Sequence, residues 1–367
     1  MAPKAVIRRP ARAPASLITA AAVKIKEKAK EAKRRQDLYQ SRSSSLLPSQ
    51  GGISLLEKIC ALESVEDDYY KRAGIFQEWL VDNQLAPRNA REVAMCLLEI
   101  LDHLFLDGAG HPDGSKLLSA VLHIYPELRE ATVEEKRVRR ALSGWQKRAP
   151  AETRVGIPDE VVYAQIGMLL SEGMVLQALC LGMQLNTYFR PGENFVIRVK
   201  DVIRPTANKP EVGLVLAPSE TMSITKTGKS DESVQINGHK AEWISKGLLE
   251  LCTGRPGHEQ LFPFLQEEFT TSFHRSLHLL SLGSYHFSPY SVRHAGPSND
   301  FLHHRRDLAD IKNRGRWKSD SSVRRYTKAT KLQQLAQEIN PRVTNYGTAV
   351  MANIDEIMAG RAELPIY

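Results

Sequence analysis

Residues that read as strand are few, short and gathered in one stretch of this chain. FVIRV (195–199), VGLVLA (212–217), MSITK (222–226) and SVQI (233–236) are β-branched runs with turns between them. On either side, apolar residues recur at three- and four-residue spacing, the period of a helix with one face in a core. That spacing predicts helices in GIFQEWLVDN (74–83), NAREVAMCLLEILDHLFLDG (89–108) and SKLLSAVLHIYPEL (115–128). A fourth helix starts at Thr132, where Glu135 three residues on suggests a capping box. Two apolar helices follow at 159–170 and 173–187, and the pattern is helical again from Ala241 onward. The expected fold class is mainly α with a small antiparallel β-sheet, an α+β chain.

Three segments are expected. Residues 1–51 are a basic arm that ends in the Ser/Gly/Pro linker SRSSSLLPSQGG. Residues 52–150 are a helical domain, and KRAPAETRVGIP (147–158) marks a boundary. Residues 155–367 form the mixed domain that holds the sheet.

Charge separates these segments. Residues 1–43 carry twelve Lys or Arg against three acids, so the net +8 belongs to the arm and the remainder is close to neutral. Within the arm, VKIKEKAKEAKRRQ reads as a basic helix, a nuclear address or a DNA-binding arm. The acid-free first 23 residues leave organelle import open as well. A second cluster lies at 288–331, with eleven Lys or Arg against four Asp, which points to a polyanion held at one face. In the helix from Thr132, Val138, Leu142 and Trp145 fall on the inward side. Lys136, Arg137, Arg139, Arg140, Lys147 and Arg148 fall around the others, as a solvated or a phosphate-contacting surface.

Several function classes find no support. No apolar run is long enough to span a bilayer, so no membrane association is expected. Cys60, Cys96, Cys180 and Cys252 are scattered with no CxxC pair, which argues against a disulfide framework or zinc site and for a reducing, intracellular compartment. SITKTGKS resembles a phosphate-binding P-loop, but Ser223 stands where the first glycine is required. HHRRDL (303–308) has neither the Gly-rich loop nor the DFG of a kinase.

What remains is an ordered series of cations and aromatics. Arg190 and Glu193 occur in RPGE, and Lys226 at the turn of a probable hairpin, with Lys229 as its competitor. Tyr290 and Arg293 in SPYSVRH share one helix face, after Ser288 as cap and Pro289 at the first helical position. Trp317 and Tyr326 in RGRWKSDSSVRRYTK lie nine residues apart, on opposite sides of any continuous helix. A break is therefore expected between them, with Ser319, Ser321 or Ser322 as the new cap.

In this order and spacing the series resembles the tyrosine recombinase (phage-type integrase) family. Its motif runs Arg, Lys, His-x-x-Arg, His or Trp, then Tyr nine residues later. RPGE matches the first box, Lys226 the hairpin lysine, and YSVR the His-x-x-Arg box with Tyr290 in place of histidine. Trp317 and Tyr326 take the last two positions. The wording around Trp317 is similar to recombinases of eukaryotic mobile elements. The resemblance implies a helical DNA-binding domain at 52–150 and a catalytic domain at 155–367, closed as a clamp on duplex DNA. It implies strand cleavage and rejoining through a 3′-phosphotyrosine, carried by Arg190, Lys226, Tyr290, Arg293, Trp317 and Tyr326.

Chemistry agrees with that set. Two arginines can fork onto the non-bridging oxygens of a phosphodiester, and an indole N–H can add a third donor. A phosphotyrosine conserves the energy of the broken bond, so neither a nucleotide cofactor nor a metal is expected. A lysine can protonate the departing sugar hydroxyl. The Tyr290 phenol is a much poorer base than imidazole at neutral pH. The implied partners are double-stranded DNA and further copies of the chain, four on two sites, in the nucleus or another DNA-containing compartment. A repurposed DNA-binding protein of the same fold, or a type IB topoisomerase-like enzyme, is the alternative.

Overall fold

The computed structural model describes residue 33 and residues 63–150, 156–218, 230–324, 326 and 328–367. The chain divides into two compact units, residues 1–153 and 154–367.

The first unit is helical throughout its described residues. Its helices are α1 (Glu63–Asp82), α2 (Ala90–Leu106), α3 (His111–Ile124), the single turn α4 (Glu127–Glu130) and α5 (Thr132–Arg148). Asn89 caps α2, its side-chain oxygen accepting the Glu92 amide at 3.0 Å. Phe76, Leu97, Val121, Leu128 and Val138, all 0% exposed, form the core, each worth about 1.5–3 kcal/mol of burial. Leu142 and Trp145 face inward, as the spacing in α5 predicts. The capping box at Thr132 does not form. Ala131 is the cap residue, and the Glu135 carboxylate instead accepts Arg139 one turn on, at 2.6 Å.

The second unit is built around α6 (Asp159–Ser171), whose residues are buried on every side from Val161 to Leu169. A helix apolar all round belongs in the middle of a core. Against it pack α7 (Val175–Thr187), α9 (Gln266–Leu279), α10 (Pro289–Leu302) and the C-terminal α14 (Pro341–Met358). The crossing of α6 and α14 is close. A Cβ built on Gly347 would stand 1.6 Å from the Glu160 carbonyl oxygen, so only glycine fits there. Helix α14 packs within its own chain through Val343, Tyr346, Val350 and Ile354.

The sheet has three antiparallel strands, β1 (Val202–Ile203), β2 (Val212–Leu216) and β3 (Glu232–Ile236), in that order. Val212 pairs with Ile236 and Leu214 with Val234, so one face of the sheet closes on the core. FVIRV is not one of these strands. Pro191 opens a 3-10 turn through Phe195, and the Arg198 amide turns back to the Asp201 carboxylate at 2.9 Å, opening a second turn at Val199–Asp201. Strong local caps override the β propensity of the run. MSITK lies outside the described residues. The remaining helices are α8 (Glu242–Leu251), α11 (Leu308–Gly315), α12 (Asp320–Arg324) and α13 (Ala329–Glu338). No helix among the described residues is long and apolar enough to cross a membrane.

Candidate active site

The end of α7 places the first arginine. Tyr188 adopts a left-handed backbone (φ 57°) that stops the helix and turns the chain into RPGE. Arg190 is then extended (φ −66°, ψ 147°), and Pro191 starts the 3-10 turn. The Arg190 amide donates to Glu193 Oε2 at 2.7 Å and its Nη1 to Oε1 at 2.6 Å. Glu193 also accepts Arg316 Nη2 at 2.5 Å and lies 3.9 Å from Arg293 Nη1. Burial pushes the Glu193 carboxyl up. The charge of Arg316, the Arg190 amide, and the charges of Arg190 and Arg293 outweigh it, and the group is held below the usual carboxylate range.

Helix α10 supplies the second arginine. Ser288 is its cap residue, with its amide bonded to Ser291 Oγ at 3.1 Å, and Pro289 takes the first position, as the sequence predicts. Arg293, one turn in, is 1% exposed. Its Nη2 donates to the Gly315 carbonyl at 3.0 Å and its Nη1 to the carbonyl of Tyr188. It therefore ties the end of α7 to the end of α11. Tyr188 is fixed from behind by its hydroxyl, which donates to Asp300 Oδ2 at 2.5 Å. Burial and the neighbouring Arg190 charge both push the Arg293 guanidinium down.

The break between Trp317 and Tyr326 has three parts. Helix α11 ends at Gly315, and Arg316 takes a left-handed backbone (φ 56°). A Cβ on Gly315 would fall 1.9 Å from Trp317 Cζ3, so the indole folds back over bare backbone. Ser319 then accepts the Ser322 amide on its Oγ at 3.3 Å and opens α12. Tyr326 stands in the turn after α12, with its amide on the Val323 carbonyl at 2.8 Å, and not on a helix. The result is a contact between the two rings, with centroids 4.4 Å apart and planes at 31°. The Arg293 guanidinium lies 5.1 Å from the Trp317 ring.

The Tyr326 hydroxyl is where these elements converge. Burial pushes its acidity down, but a hydrogen bond from Tyr290, the Arg293 charge and hydrogen bonds from Trp317 and Arg293 outweigh that. The phenol ends below its ordinary pKa. Tyr290 goes the other way, raised by burial and by the neighbouring Tyr326 oxygen. The pair is thus polarised, with Tyr290 as donor and Tyr326 as acceptor.

The structure brings together Arg190, Tyr290, Arg293, Trp317 and Tyr326, through Glu193 on one side and the Tyr326 oxygen on the other. Lys226 and its competitor Lys229 lie outside the described residues. Three further residues were not picked out by the sequence reading. Arg316 joins Glu193 and approaches Glu232 Oε2 at 3.4 Å, with its side chain 5% exposed. His294 stacks on Tyr326, with centroids 4.5 Å apart. Ser298 Oγ donates to the Tyr326 carbonyl. Of these, His294 and Ser298 could have been sought at four-residue steps from Tyr290. Among the described residues, no group of three or more His, Cys, Asp or Glu could hold a metal ion.

Such an arrangement can bind a monoanionic phosphodiester between two guanidiniums and offer it a phenol of enhanced acidity. No family model matches the chain, and no curated protein matches it by sequence. Solved structures do. A lambda integrase (75–356) dimer bound to a COC′ core site aligns with a TM-score of 0.50 and 14% identity, over 74% of this chain and 93% of that one. XerH site-specific recombinase bound to palindromic difH substrate, a post-cleavage complex, aligns with a TM-score of 0.57 and 15% identity, over 86% and 92%. The chain has the tyrosine recombinase fold.

Proposed function

We propose that this chain of tyrosine recombinase fold is a DNA strand transferase, with Tyr326 as nucleophile. Arg190 and Arg293 hold the non-bridging oxygens of the scissile phosphate, and the Trp317 indole N–H adds a donor. The Tyr326 phenol loses its proton to solvent, as its lowered pKa favours, and its oxygen attacks phosphorus in line. A tyrosyl P–O bond forms, the bond to the 5′ oxygen of the next nucleotide breaks, and that oxygen leaves as a hydroxyl. Its proton comes from a lysine of the 219–229 segment, Lys226 in this reading. Attack by a 5′ hydroxyl of another strand reverses the step and frees Tyr326. The Tyr290 hydroxyl does not act as a base. It steadies the phenolate by donating to it.

The observation that carries the proposal is the convergence of Tyr290, Arg293 and Trp317 on the Tyr326 oxygen, with its lowered pKa. An ordinary structural tyrosine has no use for three donors. Duplex DNA is the partner, and copies of the chain pair on it as recombination requires. Residues 155–367 are the catalytic part, and the basic α5 of the preceding unit contacts the duplex backbone. The second reading is a binding protein that keeps the site but does not cut, favoured by Tyr290 where an imidazole base would serve. A duplex selected for tight binding from a randomised pool, nicked to trap cleavage, separates the two. Wild type is expected to give a denaturant-resistant protein–DNA band that Tyr326→Phe lacks. Tight binding with no band from wild type supports the second reading.

A further inference from the structure

Helix α10 meets Tyr326 three times, at residues four apart. Tyr290 reaches its hydroxyl, His294 its ring and Ser298 its backbone carbonyl. Residues at positions i, i+4 and i+8 form one stripe along a helix, about 6 Å apart per step. The stripe therefore runs alongside the tyrosine from its reactive end to its main chain. Arg293, adjacent to His294, faces the same oxygen from the next position round the helix.

The His294 and Ser298 contacts have no chemical role in the proposed reaction. His294 is 8% exposed. Its ring centroid lies 4.5 Å from that of Tyr326 at 33°, and 5.4 Å from that of Tyr290 at 61°. Trp317 lies against the same phenol at 4.4 Å and 31°. An imidazole stacked over a phenol has its nitrogens in its own plane, directed away from the phenol oxygen, and so is badly placed to take that proton. It is well placed to fix the plane of the ring. A tyrosine in a turn, with no helix of its own to hold it, needs that restraint. Rotation about χ1 would carry its oxygen away from all three donors, and rotation about χ2, which leaves the oxygen in place, would turn its ring plane and lone pairs off them.

We propose that His294 and Ser298 are positioning residues for the nucleophile. His294, with Trp317, forms an aromatic slot that sets the ring plane, and Ser298 pins the backbone from which the ring extends. Together they fix the attack geometry without touching phosphate. This rests on the strand-transfer reading above. It adds that the nucleophile is docked on α10, which also carries the buried arginine. Register between the attacking oxygen and the phosphate is then a property of one rigid helix.

The test is single-turnover cleavage of the same nicked duplex at saturating protein, with the dissociation constant for the uncleaved duplex measured separately. His294→Leu removes the flat ring, and His294→Phe keeps one of similar thickness. The expected result is cleavage slowed about 10- to 100-fold in His294→Leu, with DNA affinity unchanged, and most of the rate restored in His294→Phe. Ser298→Ala is expected to slow cleavage about tenfold in the same manner, and it carries the test if His294→Leu does not fold. Wild-type rates in His294→Leu and Ser298→Ala overturn the proposal and leave strand transfer standing. Equal losses in His294→Leu and His294→Phe also overturn it, because a slot needs only a flat ring. No adduct from wild type overturns the strand-transfer reading itself, and the positioning role falls with it.

Discussion

The hydroxyl of Tyr290 is hydrogen-bonded to that of Tyr326, and the two phenols are pushed apart. Burial and the neighbouring Tyr326 oxygen raise Tyr290. Against its own burial, Tyr326 is lowered by the Tyr290 hydrogen bond, the Arg293 charge and hydrogen bonds from Trp317 and Arg293. In the proposed reaction, a residue that as a base would be inferior to histidine serves instead as a donor to the oxyanion. On that proposal, the tyrosine of the YSVR box assists stabilisation of the phenolate and not proton removal.

Tyr290→Phe deletes that donor and leaves the ring. The Tyr326 phenol, lowered in the wild type, moves up toward its ordinary value. At neutral pH, adduct formation should slow about tenfold, the worth of one hydrogen bond to a charged group. The rising limb of its pH profile should shift to higher pH. A profile measured from pH 6 to 10 on the nicked duplex checks both, and an unshifted limb would count against Tyr290 as donor.

Glu193 holds three guanidiniums in place, so Glu193→Gln should leave Arg190, Arg293 and Arg316 repelling one another. Breaking a buried ion pair from one side costs about 3 kcal/mol, read here as a lower urea midpoint. The pH dependence has a defined sign. Because the folded-state pKa of Glu193 is depressed, its stabilisation is present above the ordinary carboxylate value. It is lost as pH falls through the folded value. Wild type should therefore lose stability on acidification more steeply than Glu193→Gln.

Gly315→Ala places a methyl group 1.9 Å from the Trp317 indole, which must swing away. Overpacking of this kind costs about 1–3 kcal/mol in stability. The larger effect should be on the site, where Tyr326 loses both its ring neighbour and an N–H donor. Cleavage should fall about 100-fold while DNA binding persists. Quenching of tryptophan fluorescence should report the displaced indole.

Gly347→Ala tests the α6–α14 crossing, which holds none of the residues proposed to bind phosphate. The added methyl meets the Glu160 carbonyl at 1.6 Å, and the helices must part. Thermal unfolding should show a loss of about 2–4 kcal/mol, within the range for core overpacking and lost helix contacts. Any cleavage by the folded fraction should proceed at the wild-type rate.

The parts of this molecule that could be read from the chain are those written in local spacing. Helices α2 and α3 announce themselves by apolar period, α6 and α7 by their apolar runs, and YSVR by the three-residue step between Tyr290 and Arg293. The break between Trp317 and Tyr326 follows from helical geometry and the serines between them. FVIRV reads as a strand because its composition favours one, while the caps that bend it, Pro191 and Asp201, lie outside the run on either side. Thr132 resembled a capping residue, but the preceding Ala131 takes that place. Arg316 was invisible for another reason. Its partners Glu193 and Glu232 are 123 and 84 residues away, and nothing local distinguishes it from a surface arginine in a basic run. His294 likewise gains its meaning only when the turn holding Tyr326 folds onto α10.

The cluster about Glu193 has a consequence in simple ionic terms. Arg190, Arg293 and Arg316 stand against Glu193 and Glu232, three fixed cations to two fixed anions. Among the described residues, that knot reaches electroneutrality only when a single monoanion enters, which is the charge of one phosphodiester link. A second negative charge, such as the one that would develop in the proposed attack by Tyr326, would have to find its counterion elsewhere.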